Sequence, residues 1–339
     1  MKIKSIPGFL SVVFSFRNEE EVIPELISRL RKVLGTEKNK SLVKDYELIF
    51  VNDASTDHSL EILLAEAQNQ KDVKIINMSR IFGVSPCVMA GMQYARGVAV
   101  IYMDADLQDP PEFIPKLLRA YREQKVDVVH TVRKSRACES RLKLLITKLG
   151  YFILKKVYSI DIQSQVGDFK LLSRRAVDYL IQLNENRPFI RGLVRWIGFQ
   201  QTTLEYDREK RFSGETKFPV FGKKVIGNFL NSALISFSDA PLKLISLTGF
   251  FVSIGAFFLL IWVVVGKFLG LNLPGWSALM VATLFLGGFN LLAIGILGLY
   301  INSIFIETKR RPNFIIESAY GFDNELLSEK VRERKINRT

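Results

Sequence analysis

Two cysteines and two histidines are all that 339 residues provide of the side chains that build disulfide frameworks and zinc centres. Cys87 and Cys138 cannot form a network of bridges, which fits a reducing compartment. His58 and His130 are too few and too scattered for a zinc site. No G-x-G-x-x-G and no G-x-x-x-x-G-K-S/T occurs, so dinucleotide-binding and P-loop readings lose their fingerprints. Internal repeats and low-complexity tracts are missing too. The opening MKIKSIPGFLSVVFSFRNEE runs into acids too soon for a secretory signal peptide.

Charge is absent from two long stretches. Leu244 to Gly266 and Phe268 to Ile306 hold no Asp, Glu, Lys or Arg, and only Lys267 divides them. A helix that crosses hydrocarbon needs about 20 apolar residues. LISLTGFFVSIGAFFLLIWVVVG is long enough for one crossing. GLNLPGW reads as a turn and leaves Ser277 to Ile301 for a second. A buried hairpin in a soluble protein is the alternative, but two uncharged runs of this length seldom lie in a soluble core. Two crossings put both chain ends on one side. Lys223, Lys224 and Lys243 precede the first run and Lys309–Arg311 follow the second, so the expected side is cytoplasmic, at a cell inner membrane. Gly287, Gly288, Gly295 and Gly298 permit close helix packing, a hint of a homo-oligomer.

The net charge of +13 calls for an anionic partner. With two apolar helices, anionic lipid or a phosphate-bearing substrate is expected ahead of nucleic acid.

The first 130 residues alternate strand and helix. FLSVVFSF, YELIFVND, VKIINMS, GVAVIYMDAD and DVVHTVR have strand character, and segments with helical spacing separate them. This pattern predicts an α/β fold with a parallel sheet covered on both faces, with ligands at the carboxyl ends of its strands. The polar clusters Asn18-Glu19, Asn52-Asp53, Ser79-Arg80, Asp104-Asp106 and Arg133 all fall there. RLKLLITKLGYFILKKVY, residues 141–158, is basic and amphipathic. It either lies at a membrane interface or packs on the core, and residues 218–242 invite the same two readings.

MDADLQDPPEF supplies the chemistry. Alternate residues of an extended segment face one way, so Asp104 and Asp106 can reach one point. Two close carboxylates repel unless a cation lies between them. A divalent Mg²⁺ or Mn²⁺ resolves this with carboxylates and substrate phosphates as ligands, and Gln108 can add a neutral oxygen. Asp109, ahead of Pro110, is expected to cap the next helix, and Asp57 to cap the one after the second strand. Asp53 is a candidate acceptor for the ring N–H of a nucleobase.

The set FRNEE, VNDASTD, MDADLQDPPEF, VGDFKLLSR, RPFIRGLVRWIGF, RFSGETKFP and YINSIFIETKRRP resembles the polyprenyl-phosphate glycosyltransferases of glycosyltransferase family 2. These are similar to dolichyl-phosphate mannose synthase and to the two-helix bactoprenol glucosyltransferases. The resemblance runs from about residue 8 to 320 in motif order, and DADLQDP and GETKFP are its specific segments. It implies a Rossmann-like GT-A catalytic domain over residues 1–217 and juxtamembrane helices over 218–242. A two-helix transmembrane hairpin over 243–306 and a cytoplasmic tail over 307–339 complete it. It also implies a nucleotide-diphospho-sugar donor, a divalent metal, a polyprenyl phosphate acceptor and inversion at the sugar.

Carried over position by position, Glu19 and Asp53 match nucleotide-binding residues, and Asp104, Asp106 and Gln108 match the metal group. Arg133, Lys143 and Thr147 match holders of the acceptor phosphate. Arg211 and Lys217 match residues that close on the donor diphosphate, which Asp104 also serves. Asp168 matches a catalytic carboxylate near the sugar, and Asp106 is catalytic through the metal. Two departures touch the donor pocket: Ser15-Phe16-Arg17-Asn18-Glu19 stands where P-x-Y-N-E is usual, and Ile81-Phe82-Gly83 where N-x-G is usual. Glucose from UDP-glucose is the expected donor. GDP-mannose or a UDP-aminosugar is the alternative within the same reaction. A silent membrane protein that binds lipid phosphate or nucleotide is the alternative in another class, but a binder has no need of the metal acids.

Overall fold

The computed structural model describes residues 6–39, 42–133, 166–183, 185, 188–209, 240–269 and 275–323. Before residue 210, strands β1 (Ile6–Phe16), β2 (Asp45–Asn52), β3 (Val73–Met78), β4 (Gly97–Asp104) and β5 (Val128–Arg133) alternate with helices. Those helices are α1 (Ile23–Asn39), α2 (Ser59–Asn69), α3 (Val84–Tyr94) and α4 (Ile114–Glu123), with one 3₁₀ turn, Pro111–Phe113, before α4. Then follow β6 (Val166–Ser173), α5 (Arg174–Gln182), α6 (Ile190–Trp196) and β7 (Gln201–Tyr206). The five expected strands are all present, because parallel strands buried on both faces are near-continuous apolar runs. Val12, Val13, Phe14, Leu48, Ile49, Phe50, Val100 and Ile101 show this, with no exposed surface.

The strand order is β7-β5-β6-β4-β1-β2-β3-β8. β1, β2, β3 and β4 are parallel neighbours, as are β5 and β7. β6 lies between β4 and β5 and runs antiparallel to both. The sheet is therefore mostly parallel, and the reversed strand faces the ends that carry the acids.

β8 (Ile316–Tyr320) lies within the segment 307–339 expected as the tail. It pairs antiparallel with β3, with Ile76 opposite Ala319. Asn77 Nδ2 donates to Glu317 Oε2 at 2.9 Å and the Ser79 amide to the Ile315 carbonyl at 3.0 Å. Behind the strand the Phe322 ring packs on Tyr94 at 5.3 Å, and Arg96 pairs with Asp323. An otherwise open edge of β3 gains a partner, which removes a template for aggregation.

Close approach of backbone decides one glycine. Gly97 opens β4 beside an irregularity in the β1–β4 pairing, and its amide donates to Ser11 Oγ at 2.8 Å. A Cβ there would lie 2.5 Å from the Ser11 amide and from the Ala99 carbonyl. Main chain must move to admit it, so Gly97→Ala should destabilise by about 1–3 kcal/mol. A thermal midpoint several degrees lower checks this, and an unchanged midpoint contradicts it.

A second compact unit covers the described residues 240–311, and residues from Pro312 belong with the first. It holds α7 (Ala240–Phe268) and α8 (Trp276–Thr308). Among the described residues one helical stretch is long and apolar enough to cross a membrane, Phe285–Thr308, while the apolar stretch in α7, Ile245–Phe258, is shorter. The expectation of two crossings therefore stands on one helix here. The hydroxyls of Thr248, Thr283 and Thr308 donate to carbonyls one turn back in their own helices, so these polar groups need no water.

Candidate active site

Register brings the strand ends level. Phe16 pairs with Asn52, Ser15 with Asp104 and Asn52 with Asn77. The loops after β1 and β2 are tied to each other. The Asn18 amide donates to Ser55 Oγ at 3.0 Å, the Thr56 amide to Asn18 Oδ1 at 2.8 Å, and the Glu19 amide to Ser59 Oγ at 2.9 Å. Asn18 takes a φ of 54° to make this turn. Glu19 is buried at this seam. Asp57 accepts the amide of Ser59 at 3.1 Å, but the cap position of α2 is His58, which makes no side-chain capping bond, so the expected Asp57 cap is not formed and Asp57 braces the helix start from one residue earlier. Asp53 accepts the amides of Phe82 at 2.6 Å and Gly83 at 3.0 Å. It thereby shapes the loop where the sequence departs from N-x-G. A carboxylate offers about four acceptor sites, so capacity toward a base remains.

The acids gather around the end of β4. Asp104 ends the strand. The turn that follows places Leu107 at φ 56° although its side chain is buried, a strained conformation that recurs at functional sites. The Gln108 amide closes the turn on Asp106 Oδ1 at 3.2 Å. In the antiparallel β4–β6 pairing Tyr102 is opposite Lys170. Two residues onward on β4 and two back on β6, the same register sets Asp104 against Asp168. The electrostatics agree. Burial, then Asp168, Asp109 and Asp106, push Asp104 up to about 8, against the pull of Arg191.

Asp168 behaves in the opposite way because it has a dedicated cation. Arg191 Nε donates to its Oδ1 at 2.7 Å and a second guanidinium nitrogen to Oδ2. Burial pushes the Asp168 carboxyl up, but Arg191, with Lys170 and Arg133, outweighs that and holds it below the usual range. Arg191 and Arg195 lie four apart on α6, so one helical face turns two guanidiniums toward β6 and its neighbours. Arg195 donates to Gln201 Oε1 at 3.3 Å.

Beneath this pair lies a buried polar row. Lys170 has Tyr102 on one side and His130 on the other in strand register. All three side chains are buried. Gln201 donates from Nε2 to the Val194 carbonyl at 3.0 Å, so its oxygen is left to accept from His130 Nε2 at 2.7 Å. That fixes the imidazole with its proton on Nε2. Burial and Lys170 push His130 down to about 3, and burial pushes Lys170 down to about 7.

Asp109 corrects the sequence reading. The 3₁₀ turn begins after Pro110 with no side-chain cap. Of the two amides that a cap at Asp109 could accept, Pro111 has no hydrogen, which leaves only that of Glu112. Asp109 is instead fully buried and accepts the Tyr206 hydroxyl, with Arg208 Nε 3.7 Å away. Arg191 and Lys170 received no role from the sequence. Lys170 could have been found, since period two puts it on the Asp168 face of its strand. Arg133 ends β5 near the acids, whereas Lys143, Thr147, Arg211 and Lys217 lie outside the described residues.

Among the described residues no three of His, Cys, Asp and Glu form a metal cage. A divalent ion shared with substrate phosphates needs only one or two carboxylates. Asp104, pushed so far up by its neighbours, favours a bound proton or cation over standing charged and alone. The acids of this turn therefore fit a metal held jointly with a substrate.

Residues 11–181 match the model of glycosyl transferase family 2. The uncharacterized glycosyltransferase YkcC of Bacillus subtilis is 41% identical over 319 residues, 94% of this chain and 96% of its own length. The putative glycosyltransferase CsbB of the same organism is 34% identical over 98% of each chain. The bactoprenol glucosyl transferase of Shigella phage SfV is 36% identical over 91% of this chain and 98% of its own.

Proposed function

We propose that this chain, which belongs to glycosyl transferase family 2, moves glucose from UDP-glucose to undecaprenyl phosphate with inversion at the sugar. One observation carries the reading: Asp104, Asp168, Arg191 and Arg133 converge where β4, β6 and β5 present their functional ends. Relatives named bactoprenol glucosyl transferase, similar along nearly the whole chain, support the glucosyl donor and the polyprenyl acceptor.

An oxygen of the lipid phosphate attacks the anomeric carbon. The bond from that carbon to the diphosphate oxygen breaks, and the nucleoside diphosphate leaves from the opposite face. A divalent cation held by Asp104, Asp106 and Gln108 would supply positive charge for the diphosphate. The remaining work falls to the chain's own residues. Arg133, with Lys143 and Thr147, holds the acceptor phosphate, and Arg211 and Lys217 face the donor diphosphate. Glu19 and Asp53 sit at the nucleoside end. A phosphate monoester has its second pKa near 6, so it arrives largely as a dianion at about pH 7 and needs little help from a base. Asp168, charged and clamped by Arg191, orients the sugar and the cations around it. α7 and α8 hold the catalytic unit at the cytoplasmic face of the cell membrane, where the lipid acceptor lies.

Purified protein in detergent, given undecaprenyl phosphate, Mn²⁺ or Mg²⁺ and one donor at a time, tests this. UDP-glucose, UDP-GlcNAc, UDP-galactose and GDP-mannose are compared, and lipid products are read by mass. A metal-dependent lipid-phosphate-hexose from UDP-glucose is expected. A product from another donor alone overturns the sugar, and no product from any donor overturns the reaction.

A further inference from the structure

The last aspartate of the DADLQDP turn does not face the reacting groups. Asp109 lies fully buried, and its Oδ1 accepts the hydroxyl of Tyr206 at the end of β7. Tyr206 is in register with Arg133 across the β5–β7 pair, so the phenol and the guanidinium lie side by side, and Arg133 Nε is buried there with no hydrogen-bond partner among the described residues. Gly167 on β6 leaves room for both groups: a Cβ there would meet Tyr206 Oη at 3.5 Å and Arg133 Nε at 3.8 Å.

The direction of these bonds follows from the donor inventory. A phenol has one proton, and Tyr206 gives it to Asp109. Its lone pairs can then only accept, and a guanidinium can only donate. The bond from Tyr206 to Asp109 is formed, and a bond between Arg133 and Tyr206 can run only from the guanidinium to the phenol oxygen. The tyrosine ring cannot swing away, since Phe113 and Phe169 pack on it with centroids at 5.6 and 6.0 Å. The backbone joins the same parts, because the Glu209 amide donates to the Gln108 carbonyl at 3.0 Å. Arg29 then bridges Glu209 and Glu112 on either side of this junction. The turn that bears the metal acids and the end of β7, which lies beside Arg133, are thus fastened through one buried carboxylate.

We propose that Asp109 and Tyr206 are positioning residues that hold the Arg133 guanidinium in place for the acceptor phosphate. This rests on Arg133 as an acceptor-phosphate residue, the reading given above. Such a pair fixes the charge before the lipid arrives, so its loss weakens acceptor use and leaves the donor side alone.

Tyr206→Phe tests it with the least disturbance, since the ring keeps its aromatic neighbours and only the hydroxyl goes. Donor and acceptor KM and kcat are measured for wild type, Tyr206→Phe, Arg133→Gln and the double variant, with undecaprenyl phosphate in detergent as acceptor. Tyr206→Phe should raise acceptor KM about 5- to 10-fold, in the range of one lost hydrogen bond to a charged group. Donor KM should stay within about twofold by the same argument. Arg133→Gln should raise acceptor KM further, and Tyr206→Phe should add little on top of it, because both changes remove one interaction. An unchanged acceptor KM in Tyr206→Phe, multiplying effects in the double variant, or an equal rise in donor KM overturns the pair. An unchanged acceptor KM in Arg133→Gln overturns the role of Arg133 itself and the pair with it. Should Tyr206→Phe fold poorly by its thermal midpoint, Asp109→Asn gives the same reading, since it keeps an acceptor for the hydroxyl and removes only the charge.

Discussion

Asp104→Asn should lower transfer by about 10²- to 10³-fold while leaving the metal-free protein at least as stable as wild type. The two effects have one cause. Asp104 is partly shut away from water beside Asp168, Asp109 and Asp106, and is pushed up to about 8. A carboxyl whose folded value exceeds its unfolded one stabilises fully below the unfolded value, and that contribution is lost as pH rises through about 8. Asparagine removes the repulsion at every pH, so the variant should lack this fall. It also removes the charge that a cation would neutralise. Wild type at pH 8 should therefore gain thermal midpoint when Mn²⁺ or Mg²⁺ is added, by up to about 2.7 kcal/mol at a hundredfold excess over Kd, and Asp104→Asn should not. Asp106→Asn should lose the metal response and the activity alike. A dead variant that melts higher cannot be dismissed as misfolded. Activity within about threefold of wild type, or a wild-type midpoint indifferent to metal, would defeat the assignment.

The parts legible in sequence share one property: they need only local pattern. β1 to β5 are apolar runs bounded by polar strand ends, and their burial follows directly from composition. β6 was not legible as a strand because VGDFKLLS carries an aspartate and a lysine inside it. Those residues are tolerated because a basic helix and other polar strand residues meet them, and no window of a few residues contains that information. β7 and β8 are edge strands, short and alternating, and β8 is separated from its partner by more than two hundred residues. The site divides the same way. Asp104 and Asp106 announce themselves by spacing at a strand end. That Asp168 lies against Asp104 depends on the antiparallel register of a strand about sixty residues later. Arg191 comes from a seven-residue helix that no periodicity reveals. Asp109 resembles a cap because two prolines follow it, yet Pro111 lacks one of the amides a cap needs and the partner the carboxylate takes, Tyr206, lies 97 residues away.

Asp168→Asn should lower kcat by about 10²- to 10³-fold and leave both limbs of the pH–rate profile where they are. A general base is most effective when it titrates near the working pH. Asp168 does not, because Arg191 grips both its oxygens and outweighs the effect of burial. With the folded value depressed, the ion pair stabilises above the ordinary carboxylate range and is lost only as pH falls through the lowered value. At neutral pH the carboxylate is charged throughout, so no limb there belongs to it. Under the proposed reaction an acid limb near 6 should come from the second ionisation of the acceptor phosphate and should remain in the variant. Arg191→Lys supplies the complementary case. An ammonium cannot reproduce a two-pronged pairing, so the substitution should cost about 10- to 100-fold although net charge is kept. It should also let Asp168 rise toward ordinary values, since the cation that opposed burial is then displaced. A new acid limb in Arg191→Lys that vanishes in the Arg191→Lys/Asp168→Asn double variant would report that rise directly. A limb in wild type that disappears with Asp168→Asn alone would instead make Asp168 the base, and the orienting role would have to be given up.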